Sequence, residues 1–160
     1  MNVIVAGAGE VGFHIAERLS NEGHNITVVE NSREKGQVLQ SKLNASVVHG
    51  SGANAEVLEQ AGIRKADLFV AVTHQDEVNL VACMLAHERG TPRIIARIKN
   101  LEYTSAEWAM NARKLGIDLL INPQKAVADE IYRVVSYTAA SEAAEFADGR
   151  VVFLGYMIGR

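Results

Sequence analysis

The feature that most constrains this chain is a glycine-spaced turn set between two apolar strands in its first thirty residues. Val3-Ile4-Val5-Ala6 reads as a strand, and Gly7-Ala8-Gly9-Glu10-Val11-Gly12 as a turn opening into a helix. Asn25-Ile26-Thr27-Val28-Val29 reads as a second strand that closes on Glu30. Glycines at this spacing are common, and the flanking strand, helix and acid are what give them meaning. Gly7 permits the tight exit from the strand, Gly9 lets a pyrophosphate approach the backbone, and Gly12 lets the helix lie close on the sheet. The helix N-terminus offers unpaired N–H groups and partial positive charge to phosphates. Glu30 follows Gly12 by 18 residues, near the spacing of about 20 at which an acid takes ribose hydroxyls. The competing reading is a turn that serves packing alone, with Glu30 as a solvated strand end.

The rest of the chain repeats the strand–helix alternation. Val11, Ile15 and Leu19 form a helical stripe, and Gly23 is a suitable stop. Asn31 and Ser32 offer a cap, Asn31 with Glu34 resembling a capping box, for a polar helix over Ser32 to Leu43 with Val38, Leu39 and Leu43 as candidates to face in. A third strand, Ala45 to His49, ends in a second glycine-rich turn, Gly50-Ser51-Gly52-Ala53-Asn54. That turn is either a wall of an adenine pocket or a plain loop with Asn54 as a helix cap. Asp67 to Val72 is an almost wholly apolar fourth strand, as a central parallel strand should be. Its end, Thr73-His74-Gln75-Asp76-Glu77-Val78-Asn79, is the richest polar cluster in the chain.

With strand order 3-2-1-4-5-6, the fourth strand lies beside the first, and the crevice between them is the switch point where ligands bind. Thr73 and His74 then face Gly9 across it. The next helix, Asp76 to Arg89, presents Leu80, Val81, Met84 and Leu85 at core spacing, with Asp76 as a candidate cap and Cys83 as packing. Strand five, Arg93 to Ile98, leaves Arg97 on the ligand edge, either paired with a phosphate or an acid such as Glu77 or simply exposed. A helix over Leu101 to Leu115 with Trp108 on its face, a short strand over Asp118 to Ile121, and a helix from Pro123 to about Tyr137 complete the sixth unit. Beyond it, Ala139 to Ala147 is small and acidic, Asp148-Gly149 is a turn signal, and Val151 to Leu154 is a fresh strand with nothing to bury against. The expected fold is an α/β, doubly wound, six-stranded parallel sheet over residues 1–138. Residues 139–160 are then a linker and the first strand of another domain.

Composition excludes several classes. A net charge of -3 disfavours a nucleic-acid role, which usually shows a basic face. No apolar run reaches the roughly 18 residues of a membrane span. The single cysteine fits a reducing compartment, and the expected location is cytoplasmic. The five histidines and Cys83 are scattered without metal-ligand spacing, so no metal site is read. No nucleophile elbow and no phosphate-loop lysine appear. His74 is the one histidine placed near the crevice, as polar lining rather than as a catalyst.

The series Gly7-Ala8-Gly9-Glu10-Val11-Gly12, Gly50-Ser51-Gly52 before Val57-Leu58, Ala71-Val72-Thr73 with Asp76-Glu77 and Asn79, Ala96-Arg97-Ile98 and Ile121-Asn122-Pro123 resembles the nucleotide-binding TrkA-N domain, also called the regulator of potassium conductance domain. The tail Glu145 to Gly149 resembles the linker into the following domain of that family. The resemblance implies a Rossmann fold and a non-catalytic, cytosolic regulatory subunit, peripheral on the inner face of the cell membrane. Such domains pair as dimers, assemble into rings, and gate a TrkH/TrkG-like potassium transporter subunit in response to nucleotide. By position, Gly7, Gly9 and Gly12 would hold the phosphates and Glu30 the adenosine ribose, with Ala8, Glu10, Val11 and Asn31 also in the cofactor-binding set. Ser51 and Gly52 would flank the adenine, Thr73 and His74 would line the crevice, and Arg97 would lie near the phosphate or a dimer contact. Relatives that respond to ATP often carry arginine after the second motif glycine. Glu10 stands there and repels a γ-phosphate, which favours NAD(H) and keeps ATP/ADP as the second choice. The alternative from another class is the cofactor half of an NAD-dependent oxidoreductase, with a methyltransferase third.

Overall fold

The computed structural model describes residues 1–104, 112–136, 142–146 and 151–156. Contacts divide the chain into two units, Met1–Asn122 and Pro123–Arg160. The first alternates strand and helix: β1 (Asn2–Ala6), α1 (Glu10–Asn21), β2 (Asn25–Glu30), α2 (Arg33–Lys42), β3 (Ser46–His49), α3 (Ala55–Gln60), β4 (Leu68–Ala71), α4 (Asp76–Glu88), β5 (Ile94–Arg97) and β6 (Leu119–Ile121). The six strands form one sheet in the order β3-β2-β1-β4-β5-β6, and every pairing is parallel. This is the doubly wound architecture expected from the sequence.

The period-2 alternation of the strands sorts their side chains onto two faces. Val3, Val5, Val28, Val70 and Val72 pack with Ala16 of α1 and Leu39 of α2. Ile4, Ala6, Phe69, Ala71, Ile94 and Ala96 pack with Leu58 of α3 and with Leu80, Cys83 and Ala86 of α4. Both faces are covered, which is why the central strands read as continuous apolar runs. Burial of Cys83 among these side chains pushes its thiol up to about 12. It is therefore a packing group with negligible thiolate at neutral pH.

Helix orientation differs from the expected stripes in three places. In α1 the buried positions are Gly12 and Ala16, while Val11 is exposed. The smallest residues turn inward because the helix lies so close to the turn before it. A Cβ at position 12 would come within 1.9 Å of the Gly7 carbonyl oxygen. In α4 the inward residues are Asp76, Asn79, Leu80, Ala82, Cys83 and Ala86. Val81 and Met84, expected in the core, are 43% and 46% exposed. The polar pair Asp76 and Asn79 takes the inward face because both bind backbone at the sheet edge, which rotates Val81 and Met84 outward. In α2, Leu39 is buried and Val38 is exposed. Of the two candidate caps, Ser32 is the one that caps that helix, its hydroxyl accepting the Lys35 N–H at 3.4 Å.

The helix expected over Leu101 to Leu115 shows 3-10 turns at its described ends, Leu101–Thr104 and Ala112–Leu115. Trp108 lies outside the described residues. The second unit holds α5 (Pro123–Ser136) and two strands, β7 (Glu142–Phe146) and β8 (Val151–Gly155). These strands pair antiparallel, Glu142 opposite Gly155 and Phe146 opposite Val151. The expected lone strand thus has a partner in the stretch expected to be a linker, and antiparallel pairing across a short connection is the local solution for two such runs.

The packing at Gly12 gives a direct test. Gly12→Ala should destabilise the domain by about 2 kcal/mol or more, because the contact is with backbone that cannot step aside. Urea unfolding followed by circular dichroism would measure it, and a midpoint equal to wild type would contradict the packing described.

Candidate functional site

A cleft of about 440 Å³ lies at the carboxyl ends of β1, β2, β4 and β5. Its base is the turn after β1. Gly7 sits at φ +107, and a Cβ there would meet the Thr73 backbone at 3.0 Å. The β1 and β4 ends therefore approach one another through glycine. Gly9 differs: it adopts φ -70 and ψ -179, open to any residue, and no atom lies within 4 Å of a Cβ built there. Position 9 faces empty space, whereas positions 7 and 12 face protein.

Gly9 is also the N-cap of α1, where no side chain caps the helix. The Phe13 N–H bonds to the Gly9 carbonyl at 2.8 Å, and the first-turn N–H groups precede it. With Glu10 and Val11 they stand at the cleft wall. Uncapped N–H groups and the helix dipole make this end suited to an anion. The Glu10 carboxylate, on the same wall, sets a negative charge beside it.

Glu30, at the end of β2, accepts two backbone hydrogen bonds. Its Oε2 takes the Ala8 N–H at 2.6 Å, and its Oε1 takes the Ser32 N–H at 2.7 Å. The carboxylate thus ties the glycine turn to the start of α2 and is held facing the cleft. Each oxygen retains a lone pair for a further donor such as a hydroxyl.

The β4 end is organised by Asn79, which is fully buried. Its Oδ1 accepts from the Thr73 N–H at 2.9 Å and from the Thr73 hydroxyl at 2.7 Å. Its Nδ2 donates to the Thr73 carbonyl at 3.1 Å and to the Arg97 carbonyl at 2.8 Å. One amide thereby braces the ends of β4 and β5 and satisfies its own hydrogen-bonding capacity. Arg97 adds a cross-link from its own side, Nη2 donating to the Thr73 carbonyl at 2.7 Å. Its Nε is buried without a partner, and the guanidinium reaches the cleft wall. The partner of Arg97 is therefore backbone rather than Glu77, which accepts from the Tyr103 hydroxyl at 3.2 Å. That hydrogen bond holds the Tyr103 phenol above its usual range.

Asp76 does not cap α4, whose N-cap is Gln75. Its Oδ2 instead accepts the N–H groups of Lys99 and Asn100 at 2.9 and 2.8 Å, fixing the loop after β5. Asn54 does cap α3, its Oδ1 accepting from Glu56 and Val57. Gly50, Ser51 and Gly52 still line the cleft, so capping and lining coexist in this turn.

Of the residues singled out in the sequence, Gly7, Gly9, Glu10, Val11, Glu30, Asn31, Ser51, Gly52, Thr73, His74 and Arg97 meet around this one cleft. Ala8 acts through its N–H to Glu30, and Gly12 lies behind the wall as a packing residue. Sequence reasoning missed Ser32, Lys35 and Gln75 on the wall, and the bracing role of Asn79. Lys35 was findable, since the first turn of a helix that follows Glu30 must overhang the same edge. Among the described residues no group of three His, Cys, Asp or Glu side chains could hold a metal ion.

A family model described as the TrkA-N domain matches residues 3–123. The chain belongs to the TrkA-N family. It is 43% identical over 153 residues to the Trk system potassium uptake protein TrkA of Haemophilus influenzae, covering 94% of this chain and 33% of that protein. It is 38% identical over 162 residues to TrkA of Azorhizobium caulinodans, covering 99% of this chain and 35% of that protein. The chain thus spans about a third of the length of the TrkA proteins it matches. Among solved structures, the TrkA-N domain of the inner membrane protein YbaL from Escherichia coli superposes with a TM-score of 0.73 at 18% identity, covering 84% of this chain and 96% of that one. The GsuK channel bound to NAD superposes with a TM-score of 0.70 at 19% identity, covering 92% of this chain and 25% of that one. These TrkA-N and channel structures share the fold.

The Asn79 brace should be costly to remove. Asn79→Ala leaves the Thr73 and Arg97 groups without buried partners and should lower stability by about 2–4 kcal/mol. Chemical denaturation would measure the loss, and a change under about 0.5 kcal/mol would show that Thr73 and Arg97 re-pair without it.

Proposed function

We propose that this TrkA-N domain is a regulatory module that binds NAD(H) in the cleft and passes the bound state to a membrane potassium transport subunit. The observation that carries the reading is the juxtaposition of an uncapped helix N-terminus at an open Gly9 with Glu30 held facing the cleft. A dinucleotide matches both. Its pyrophosphate would lie over Gly9 against the first turn of α1, and its adenosine ribose would give its hydroxyls to Glu30. Ser51 and Gly52 would border the adenine. Thr73, His74 and Arg97 would face the other half of the ligand. Gly7 would form the base of the turn beneath the ligand, and Ala8 and Gly12 would shape it from behind.

NAD(H) is favoured over ATP or ADP because Glu10 puts a carboxylate beside the phosphate position, where a γ-phosphate would add like charge. Relatives support the class of ligand and of partner. One solved RCK channel is described as bound to NAD and again as bound to ADP, and a Kef C-terminal domain as bound to AMP. The curated relatives are potassium uptake proteins. The module would be non-catalytic, a regulatory role in keeping with the potassium uptake proteins it resembles. It would sit in the cytoplasm against the membrane partner, and no described helix is long and apolar enough to cross a membrane. Residues 1–138 would be the nucleotide-binding domain, with 139–160 leading into the next.

Ligand choice tests the site. Calorimetry should find NADH binding more tightly than NADPH, because a 2′-phosphate would meet Glu30. Glu30→Ala should weaken NADH by about 1.5–3 kcal/mol, the range for hydrogen bonds to a charged group. Equal or tighter NADPH binding would remove Glu30 from the ribose.

Self-association tests the regulatory reading. In α5, Val127, Ile131, Tyr132, Val134 and Val135 are all exposed. A helix apolar on more than one side needs a second surface to bury against, and a two-fold dimer supplies one through a single self-complementary contact. Light scattering should find a dimer at micromolar concentration. Ile131→Asp with Val135→Asp should shift it to monomer with an unchanged circular dichroism spectrum. A wild-type monomer at tens of micromolar would contradict the proposal.

A further inference from the structure

A second recess lies at the opposite edge of the sheet, where β5 and β6 begin. It encloses about 690 Å³, and the residues that matter in its lining are His87, Thr91, Arg93, Arg113, Gly116 and Asp118. None of these lines the nucleotide cleft.

Its polar groups are mostly donors. Arg93 precedes β5 and Arg113 lies on the 3-10 turn Ala112–Leu115, and both are exposed. Among the described residues neither guanidinium takes part in an ion pair or side-chain hydrogen bond. The contrast is with Arg64 and Arg89, which both clamp the Glu59 carboxylate, at 2.8 and 2.6 Å. Those hydrogen bonds, Arg64 first, hold the Glu59 carboxyl below its usual range. Among the described residues Asp118 is the one carboxylate in the lining, and its Oδ2 already accepts the Ile94 N–H at 2.7 Å.

The end of α4 does not turn the recess negative. The carbonyls of Leu85, Ala86 and His87 are taken by the N–H groups of Arg89, Gly90 and Thr91. The His87 ring lies against Gly116, whose φ is +74 and where a Cβ would come within 2.1 Å of the ring. The imidazole is thus held in the wall by a turn that only glycine fits. Thr91 is 7% exposed, and its hydroxyl has no partner. A buried donor without an acceptor is destabilising, and an acceptor entering the recess would relieve it.

We propose that this recess binds a phosphate monoester, with Arg93 and Arg113 on the phosphate oxygens and His87 and Thr91 beside them. Two planar guanidinium forks match a tetrahedral dianion, which offers more than one pair of oxygens, better than a single carboxylate. The volume leaves room for an organic group attached to the phosphate. The site is independent of nucleotide binding in the cleft.

The test uses inorganic phosphate as the probe. Amide chemical shifts of the isotopically labelled chain are followed during titration with sodium phosphate, against sodium chloride at matched ionic strength. Saturating shifts at Thr91, Arg93, Gly116 and Ile117, complete by roughly 10 mM, are expected with phosphate alone. Arg93→Gln with Arg113→Gln should weaken the response at least tenfold while leaving the circular dichroism spectrum and NADH affinity unchanged. Shifts that rise linearly, that chloride reproduces, or that survive in the double variant would overturn the site. A second arm mixes the chain with phosphatidylcholine vesicles containing phosphatidic acid. Co-sedimentation that needs both arginines assigns the phosphate to a lipid headgroup, and its absence alongside the phosphate response assigns it to a soluble monoester.

Discussion

The structure depends on one close approach. Helix α1 leaves the turn after β1 so tightly that position 12 has no room for a side chain beside the Gly7 carbonyl. That contact fixes the helix axis relative to the sheet and aims its N-terminus along the crevice between β1 and β4. Gly7 completes the arrangement by letting the turn pass the Thr73 backbone. Once the helix is so placed, Gly9 is the one glycine of the motif whose Cβ position faces space rather than protein. The cleft is thus a consequence of packing on either side of it.

Polar groups hold the rim in shape. Glu30 ties the first turn to the start of α2 through two N–H groups, and Asn79 ties the ends of β4 and β5 through one amide. Asp76 carries the bracing on to the loop after β5, and Asn122 adds a bond from its Nδ2 to the Lys99 carbonyl at 2.9 Å. Strand ends otherwise leave backbone groups without partners, so the open edge of a parallel sheet is where buried side-chain amides and acids are most useful. Rigidity here preorganises the wall that a ligand would meet.

Much of the first unit was legible in the sequence, because its signals were redundant. The β1–turn–α1–β2 unit had glycine spacing, apolar strands and a terminal acid in agreement, and its dinucleotide-binding pattern pointed to the order 3-2-1-4-5-6. The inward face of α4 was not legible. Hydrophobic spacing pointed to Val81 and Met84, while the helix turns Asp76 and Asn79 inward to serve backbone on another element. Local periodicity carries no information about such tertiary hydrogen bonds. Lys35 was legible in principle from its place in the first turn of the helix after Glu30, but no glycine or acid marks it. The hairpin of β7 and β8 escaped because small residues at Ala143 and Ala144 give a weak strand signal.

The central claim is that the three motif glycines divide between packing and ligand, with Gly9 on the ligand side. The most direct measurement is the NADH affinity of Gly9→Val by calorimetry, alongside its unfolding free energy. Because the backbone at Gly9 is extended and its surroundings are empty, stability should stay within about 0.5 kcal/mol of wild type. The added side chain would occupy the space over the first turn of α1, and NADH affinity should fall by at least about tenfold, or ~1.4 kcal/mol. A stable Gly9→Val domain that binds NADH as wild type does would contradict the account.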